Sequence, residues 1–367
     1  MHRHHKFLVV SPSWLGDFIL SQSLLQVLKH QYPDCQIDMI APDWSKALVH
    51  RISQVDHCLY TRFSRGQLEL GRRIAVGKQL KKKQYDQAFV LPNSLKSAII
   101  PAMANIPVRT GWRGEMRYFL LNDIRLLSKR RYPLMLQRYV ALAYPPATTL
   151  PTQLAYPCLH TNPEQVKASV QQLDLNIPDT QEILAIAPGA AYGPSKRWPV
   201  DYFACVIKHQ VKKQQQRIWL LGSQQDQCTA QAIMQASTPD VRQHIDDLTG
   251  KTSLDQVIDL ISRADYVLTN DSGLMHVAAA LGKKQVALFG STSPKHTPPL
   301  NRQARTLWLD LPCSPCFQRT CRLKHTNCML HLMPEQVMRA LEQLASTTCN
   351  DLKSDTRGRT SKTSNQT

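Results

Sequence analysis

Long apolar runs are missing from this 367-residue chain. Its longest apolar stretches, such as Ala185 to Ala191, fall far short of the roughly 18–20 residues that a membrane-spanning helix requires. The apolar run Phe7 to Val10 behind Met1-His2-Arg3-His4-His5-Lys6 is too short for a secretory leader and lacks a small-residue cleavage site. A cytoplasmic protein is therefore expected. No GxxxxGK[ST] and no GxGxxG follows any apolar run, which argues against P-loop nucleotidases and nicotinamide enzymes. Ten cysteines are too few and too scattered for a secreted disulfide scaffold of this length. Only Cys313, Cys316, Cys321 and Cys328 cluster, and no second CxxC follows them, so no metal site is assigned.

Acidic residues are also scarce: 27 Asp and Glu face 45 Lys and Arg. The imbalance is concentrated early, with 22 basic against 10 acidic residues over 1–165 and 23 against 17 afterwards. A surface of that sign meets anionic partners: a phosphorylated substrate, an anionic membrane face or nucleic acid. Nucleic acid is not favoured, because the basic residues follow no recognised DNA- or RNA-binding pattern.

What the chain does contain is short apolar runs alternating with amphipathic stretches, the pattern of parallel sheets covered by helices. Strands are predicted at Phe7–Val10, Gln36–Ile40 and Gln87–Leu91, with helices over Phe18–His30 and Gly77–Gln84. A Pro-rich break from Tyr144 to Pro157 reads as a linker. The pattern then restarts with a helix near Glu164–Leu173 and strands at Ile183–Ala187, Arg217–Leu221, Tyr266–Thr269 and Gln285–Phe289. A last helix spans Pro334–Leu344, and the polar tail 346–367 is expected to be disordered. The fold class is thus α/β: two doubly wound, Rossmann-like domains, 1–160 and 161–345, facing a central cleft.

Ligands of open α/β sheets bind beyond the carboxyl ends of the strands, so the turns there are the candidate site. Asn270-Asp271-Ser272-Gly273-Leu274-Met275-His276 passes from strand to Ala-rich helix, and the positive end of that helix suits a phosphate. Plain N-capping by Asp271 or Ser272 fits the same residues. Gly189, ahead of Lys196, and the Gly222-Ser223 turn end two further strands. Lys196 is suited to neutralising a leaving diphosphate. In the first half, Ser13-Trp14-Leu15-Gly16-Asp17 stands between strand and helix. Asp17 there is either a general base or a helix cap. Asn93, Ser94 and Lys96 follow another strand, while Arg109, Trp112, Arg113 and Arg117 interleave arginines with aromatics, a mixture for anions and sugar faces.

Five of these segments, in order from Lys6 to Leu344, resemble glycosyltransferase family 9. They are Ser11 to Asp17, Leu91 to Ser97, Arg109 to Tyr118, Pro188-Gly189-Ala190 with Lys196-Arg197-Trp198-Pro199, and Thr269 to Ala280. The resemblance implies the GT-B fold and inverting transfer of L-glycero-D-manno-heptose from ADP-heptose to the first heptose of the lipid A–Kdo core of lipopolysaccharide. It also implies Asp17 as general base and Lys196 as the cation at the donor diphosphate. Asp271, Ser272, Gly273, Leu274 and His276 would surround that diphosphate, and Asp226 would stand near the ribose. No cofactor is implied, although stimulation by Mg2+ is compatible with it. A multiply anionic heptosyl-Kdo2-lipid A acceptor would account for the basic first half, with the enzyme peripheral to the cytoplasmic face of the inner membrane. The alternatives are a neighbouring heptosyltransferase (I or III) of that family and a nucleotide-sugar epimerase on the same fold.

Overall fold

A computed structural model describes residues 4–346 apart from 65 and 176. The tail beyond Ser346 and the basic residues His2 and Arg3 lie outside the described residues. The chain builds two six-stranded, wholly parallel sheets. The first comprises β1 (Lys6–Val10), β2 (Gln36–Pro42), β3 (His57–Thr61), β4 (Gln87–Val90), β5 (Val108–Trp112) and β6 (Asp123–Arg125). The second comprises β7 (Ile183–Ala187), β8 (Arg217–Leu220), β9 (Ile245–Asp247), β10 (Tyr266–Asn270), β11 (Lys284–Phe289) and β12 (Ala304–Trp308).

The spatial orders are β3-β2-β1-β4-β5-β6 and β9-β8-β7-β10-β11-β12. Renumbered within each sheet, both are the doubly wound order 3-2-1-4-5-6, and the fold class is as expected. The direction of winding reverses between β1 and β4 and between β7 and β10, where a crevice opens at the carboxyl ends. The central strands were legible because burial on both faces demands continuous apolar sequence, as in Ile183-Leu184-Ala185-Ile186-Ala187, all buried. The strands the periodicity missed (β3, β5, β6, β9 and β12) are shorter or half-exposed and carry His57, Arg109, Asp123 and Asp246.

The helix Leu15–Gln31 after β1 and the helix Gly273–Ala280 after β10 pack against each other, joining the two halves. Glycine in the first turn of each permits it. A Cβ on Gly16 would lie 2.5 Å from His276 Cδ2, and one on Gly273 would lie 2.4 Å from Leu15 Cδ2.

The Pro-rich segment carries no helix or strand over 144–157, yet it is tied down. Gln22 exchanges two hydrogen bonds of 2.8 Å with the Cys158 backbone, Ser23 donates to Ala155 O, and Leu159 N–H donates to Ala280 O. On the same side the buried Arg51 guanidinium reaches Asp255 at 2.5 Å and Asp259 at 2.7 Å, and Ser169 donates to Asp259. The linker runs as a strap along the helix Leu15–Gln31, held by side-chain contacts of Gln22 and Ser23 that composition does not reveal.

Candidate active site

Between the halves lies a cavity of about 740 Å³. Trp14, Gly16 and Asp17 line it from one side and Gly189, Lys196, Gly222, Ser223, Asp226, Asp271, Ser272, Gly273, Leu274 and His276 from the other. These positions come from the turns after β1, β7, β8 and β10, so the separate segments of the sequence meet at one place.

Asp17 sits in the first turn of the helix Leu15–Gln31, but the N-cap position is Trp14 and the cap makes no side-chain hydrogen bond. The carboxylate is therefore not spent on capping. Burial pushes its pKa up to about 6, against the opposing effects of a hydrogen bond with the Tyr139 hydroxyl and the positive charge of Lys196. A carboxylate held there is ionised at neutral pH and readily accepts a proton. Tyr139 is buried beneath it on the helix Met135–Val140, 122 residues away in the chain, a contact with no local signal.

Lys196 Nζ lies 2.6 Å from Asp271 Oδ2, and Thr292 donates a hydrogen bond to the same oxygen. The Asp271 backbone N–H is likewise taken, by Leu288 O. Ser272 occupies the N-cap of the helix Gly273–Ala280 without making a side-chain cap, and its buried Oγ has no partner among the described residues. A helix start with an uncommitted hydroxyl in a cavity is disposed to receive an anion. Behind it His276 is buried, and desolvation pushes its pKa down to about 4, leaving the ring neutral at pH 7.

Asp226 closes the turn after β8. Its Oδ2 accepts hydrogen bonds from Ser223 N at 2.9 Å and Ser223 Oγ at 2.8 Å. A Cβ on Gly189 would stand 2.1 Å from Asp226 Oδ1, so that position tolerates nothing larger than glycine without displacing the carboxylate. Asp226 thus stands at the carboxyl end of β8, on the wall of the cavity.

The expected acceptor residues divide. Ser13, Trp14, Ser94 and Lys96 line a second cavity of about 430 Å³ at the carboxyl ends of β1, β2, β3 and β4. Asn93 turns its Oδ1 to Arg117. Arg117 is buried and donates to Pro92 O, Ser94 O, Asn93 Oδ1 and Trp112 O. Arg109 donates to Leu120 O and Ile106 O, and Trp112 Nε1 donates to Arg138 O. The donors of Arg109, Trp112 and Arg117 thus serve the fold around β5 and β6. Arg113 is exposed and lines neither cavity. Sequence reasoning overlooked Trp44, Thr61, Phe63 and Arg73 in the second cavity. In the first it overlooked Tyr192, Thr252, Thr292, His296, Phe317 and Arg319. The four clustered cysteines are free thiols, and among the described residues no group of three or more His, Cys, Asp or Glu side chains is arranged as a metal cluster.

Comparison with known proteins decides the family. Residues 73–327 match the model of glycosyltransferase family 9 (heptosyltransferase). The chain belongs to glycosyltransferase family 9. It is an enzyme of the glycosyltransferase class. It is 40% identical over 346 residues to lipopolysaccharide heptosyltransferase 2 of Salmonella typhimurium, covering 93% of this chain and 99% of that protein. It is 43% identical over 309 residues to lipooligosaccharide heptosyltransferase 2 of Haemophilus influenzae, covering 82% and 88%. The solved structure of E. coli ADP-heptose lipopolysaccharide heptosyltransferase II superposes with a TM-score of 0.82 at 38% identity, covering 92% of this family 9 chain and 98% of that one. A UDP-GlcNAc 2-epimerase from Methanocaldococcus jannaschii shares the fold alone, with a TM-score of 0.51 at 10% identity.

Proposed function

We propose that this enzyme moves L-glycero-D-manno-heptose from ADP-heptose to the first heptose of a heptosyl-Kdo2-lipid A acceptor, completing that step of the lipopolysaccharide inner core. The observation that carries the reading is a partly buried carboxylate of raised pKa, Asp17, facing a phosphate-suited helix start and Lys196 across one cavity. Near-full-length likeness to heptosyltransferases 2 supports the choice of sugar and acceptor.

In this reading residues 161–345 hold the donor. The ribose meets Asp226, and the purine rests toward Thr252, Leu254 and Val257. The diphosphate lies between Lys196 and the amides opening the helix Gly273–Ala280. Residues 1–160 hold the acceptor in the cavity of Trp14, Trp44, Phe63, Arg73 and Lys96, where aromatic faces and cations suit an anionic sugar chain. Asp17 takes the proton from the acceptor hydroxyl as its oxygen attacks the anomeric carbon. The bond to the diphosphate breaks on the opposite face, the configuration inverts, and ADP departs with its charge met by Lys196 and the helix terminus. The reading routes no step through a metal, and chelation with EDTA is expected to leave turnover.

The acceptor is a lipid, and the first half has the surface for reaching a membrane. Phe119 is 96% exposed and Met116 81%, with Tyr118 beside them, on a half of the molecule rich in Lys and Arg. No described helix is long and apolar enough to cross a bilayer, so contact would be peripheral at the cytoplasmic face of the inner membrane. Binding to anionic vesicles should then weaken as salt is raised; salt-independent binding would remove the electrostatic part of this reading.

The direct test supplies purified enzyme with ADP-heptose, with and without heptosyl-Kdo2-lipid A, and measures ADP release. Release that requires the acceptor supports transfer. A folded, ADP-binding protein that releases ADP with no heptosylated acceptor refutes it.

A further inference from the structure

The positive charge aimed at the diphosphate is smaller than the presence of Lys196 suggests. Its ammonium is 2.6 Å from Asp271 Oδ2, and a paired lysine and aspartate present almost no net charge to an approaching anion. The start of the helix Gly273–Ala280 adds only about half an elementary charge. A nucleoside diphosphate ester carries two negative charges, so an arrangement confined to these groups leaves most of the anion uncompensated.

One further cation stands at the same cavity. Arg319 lines it, is exposed, and forms no ion pair with any described carboxylate. Its guanidinium carbon lies 5.5 Å from the centre of the Tyr192 ring, and Lys196 Nζ lies 4.9 Å from the same ring, so both cations share one aromatic platform. The root of the side chain is fixed. Ser195 N–H donates to Arg319 O at 3.2 Å, the Tyr192 hydroxyl donates to Phe317 O at 2.6 Å, and Phe317 N–H donates to Ser291 O at 2.8 Å. Gly193 completes the junction: a Cβ there would stand 2.5 Å from Arg319 O. The loop that bears Arg319 is thereby locked to the loop that bears Lys196.

We propose that Arg319 is the second cation of the donor-diphosphate subsite, presented by the cysteine-rich loop 313–328 and oriented by Tyr192. The inference rests on the donor site assigned above and adds to it a residue that determines recognition of the diphosphate. An arginine in this role offers a planar pair of N–H donors to phosphate oxygens, whereas Lys196 is already engaged with a carboxylate.

Binding of ADP, AMP and adenosine to the wild type, Arg319→Ala and Arg319→Lys, followed by calorimetry at fixed ionic strength, separates the possibilities. Arg319→Ala is expected to weaken ADP at least tenfold and adenosine less than twofold, with Arg319→Lys recovering part of the loss. Unaltered thermal unfolding would confirm that the variants keep their fold, and lowered ADP affinity in the better-folded Arg319→Lys variant alone would still count in favour. An unchanged ADP affinity in Arg319→Ala, or an equal loss for ADP and adenosine, would overturn the inference while leaving the donor site in place. Failure of the wild type to bind ADP would overturn the donor site and the inference together.

Discussion

In the second sheet, the turns after β7, β8 and β10 present Gly189, Gly222 and Gly273 to one cavity, with Lys196 among them. In the first sheet, the turns after β1, β2, β3 and β4 surround the other cavity with Trp14, Trp44, Phe63 and Lys96. Both sheets wind in the same order and open their crevices at equivalent strands, so topology does not set the contrast. Side-chain size does. Small residues let backbone amides approach a phosphate, whereas broad rings and long cations give a sugar chain faces and charges to lie against. Asp17 belongs to the first sheet but lines the cavity of the second, because the two inner helices meet at Gly16 and Gly273. In the proposed reading, the base is thus carried by the acceptor half and aimed at the donor half.

That division of labour can be broken from either side. Lys196→Ala leaves the Asp271 carboxylate unpaired beside the leaving group and is expected to lower acceptor-dependent ADP release by about 10²–10³-fold. A variant with full turnover would show that the cation is not needed at the diphosphate. Trp44→Ala should raise the acceptor KM about tenfold, roughly 1.4 kcal/mol, while calorimetry finds ADP affinity unchanged. A loss of ADP affinity in that variant would mean that the two cavities do not divide the substrates.

An effect of similar size is on stability. Asp17 titrates near 6 in the fold and 3.8 without it, so the folded state binds more protons than the unfolded state between those values. Stability contributed by protonated Asp17 is full below pH 4 and is lost as pH rises through 6. Asp17→Asn removes that penalty and is expected to stabilise the protein by about 1–2 kcal/mol at pH 7.5, with the gain vanishing toward pH 4. Denaturant midpoints at the two pH values measure it, and a destabilised Asp17→Asn at pH 7.5 would contradict the assigned burial.

How much of this was legible in the sequence depends on how far apart the partners lie. The segment Asn270 to His276 announces a strand end, a polar turn and a helix start within seven residues, and the structure builds that sequence of elements. Asp226 was readable as the acid after a strand, and its ordering by Ser223 is local. Arg109 and Arg117 read as anion-binding because a charged residue beside aromatics looks alike whether it points outward or inward. Only the fold shows the guanidinium groups turned inward, donating to the Leu120, Ile106, Pro92 and Trp112 carbonyls. Tyr139 beneath Asp17, Thr292 on Asp271 and Arg319 over Tyr192 have partners 122, 21 and 127 residues away, distances across which no periodicity carries information. The strap at 144–157 shows the same limit: its prolines predict a break, while the Gln22 and Ser23 contacts that hold it lie over a hundred residues upstream.

The most direct test of the account is the pH dependence of acceptor-dependent ADP release between pH 5 and 8, for wild type and Asp17→Asn, with ADP affinity measured alongside. The account predicts a wild-type rate that falls as pH drops through about 6, and a variant at least a hundredfold slower that has lost this inflection while binding ADP as before. A variant that retains the wild-type rate and the same inflection would show that another group takes the proton.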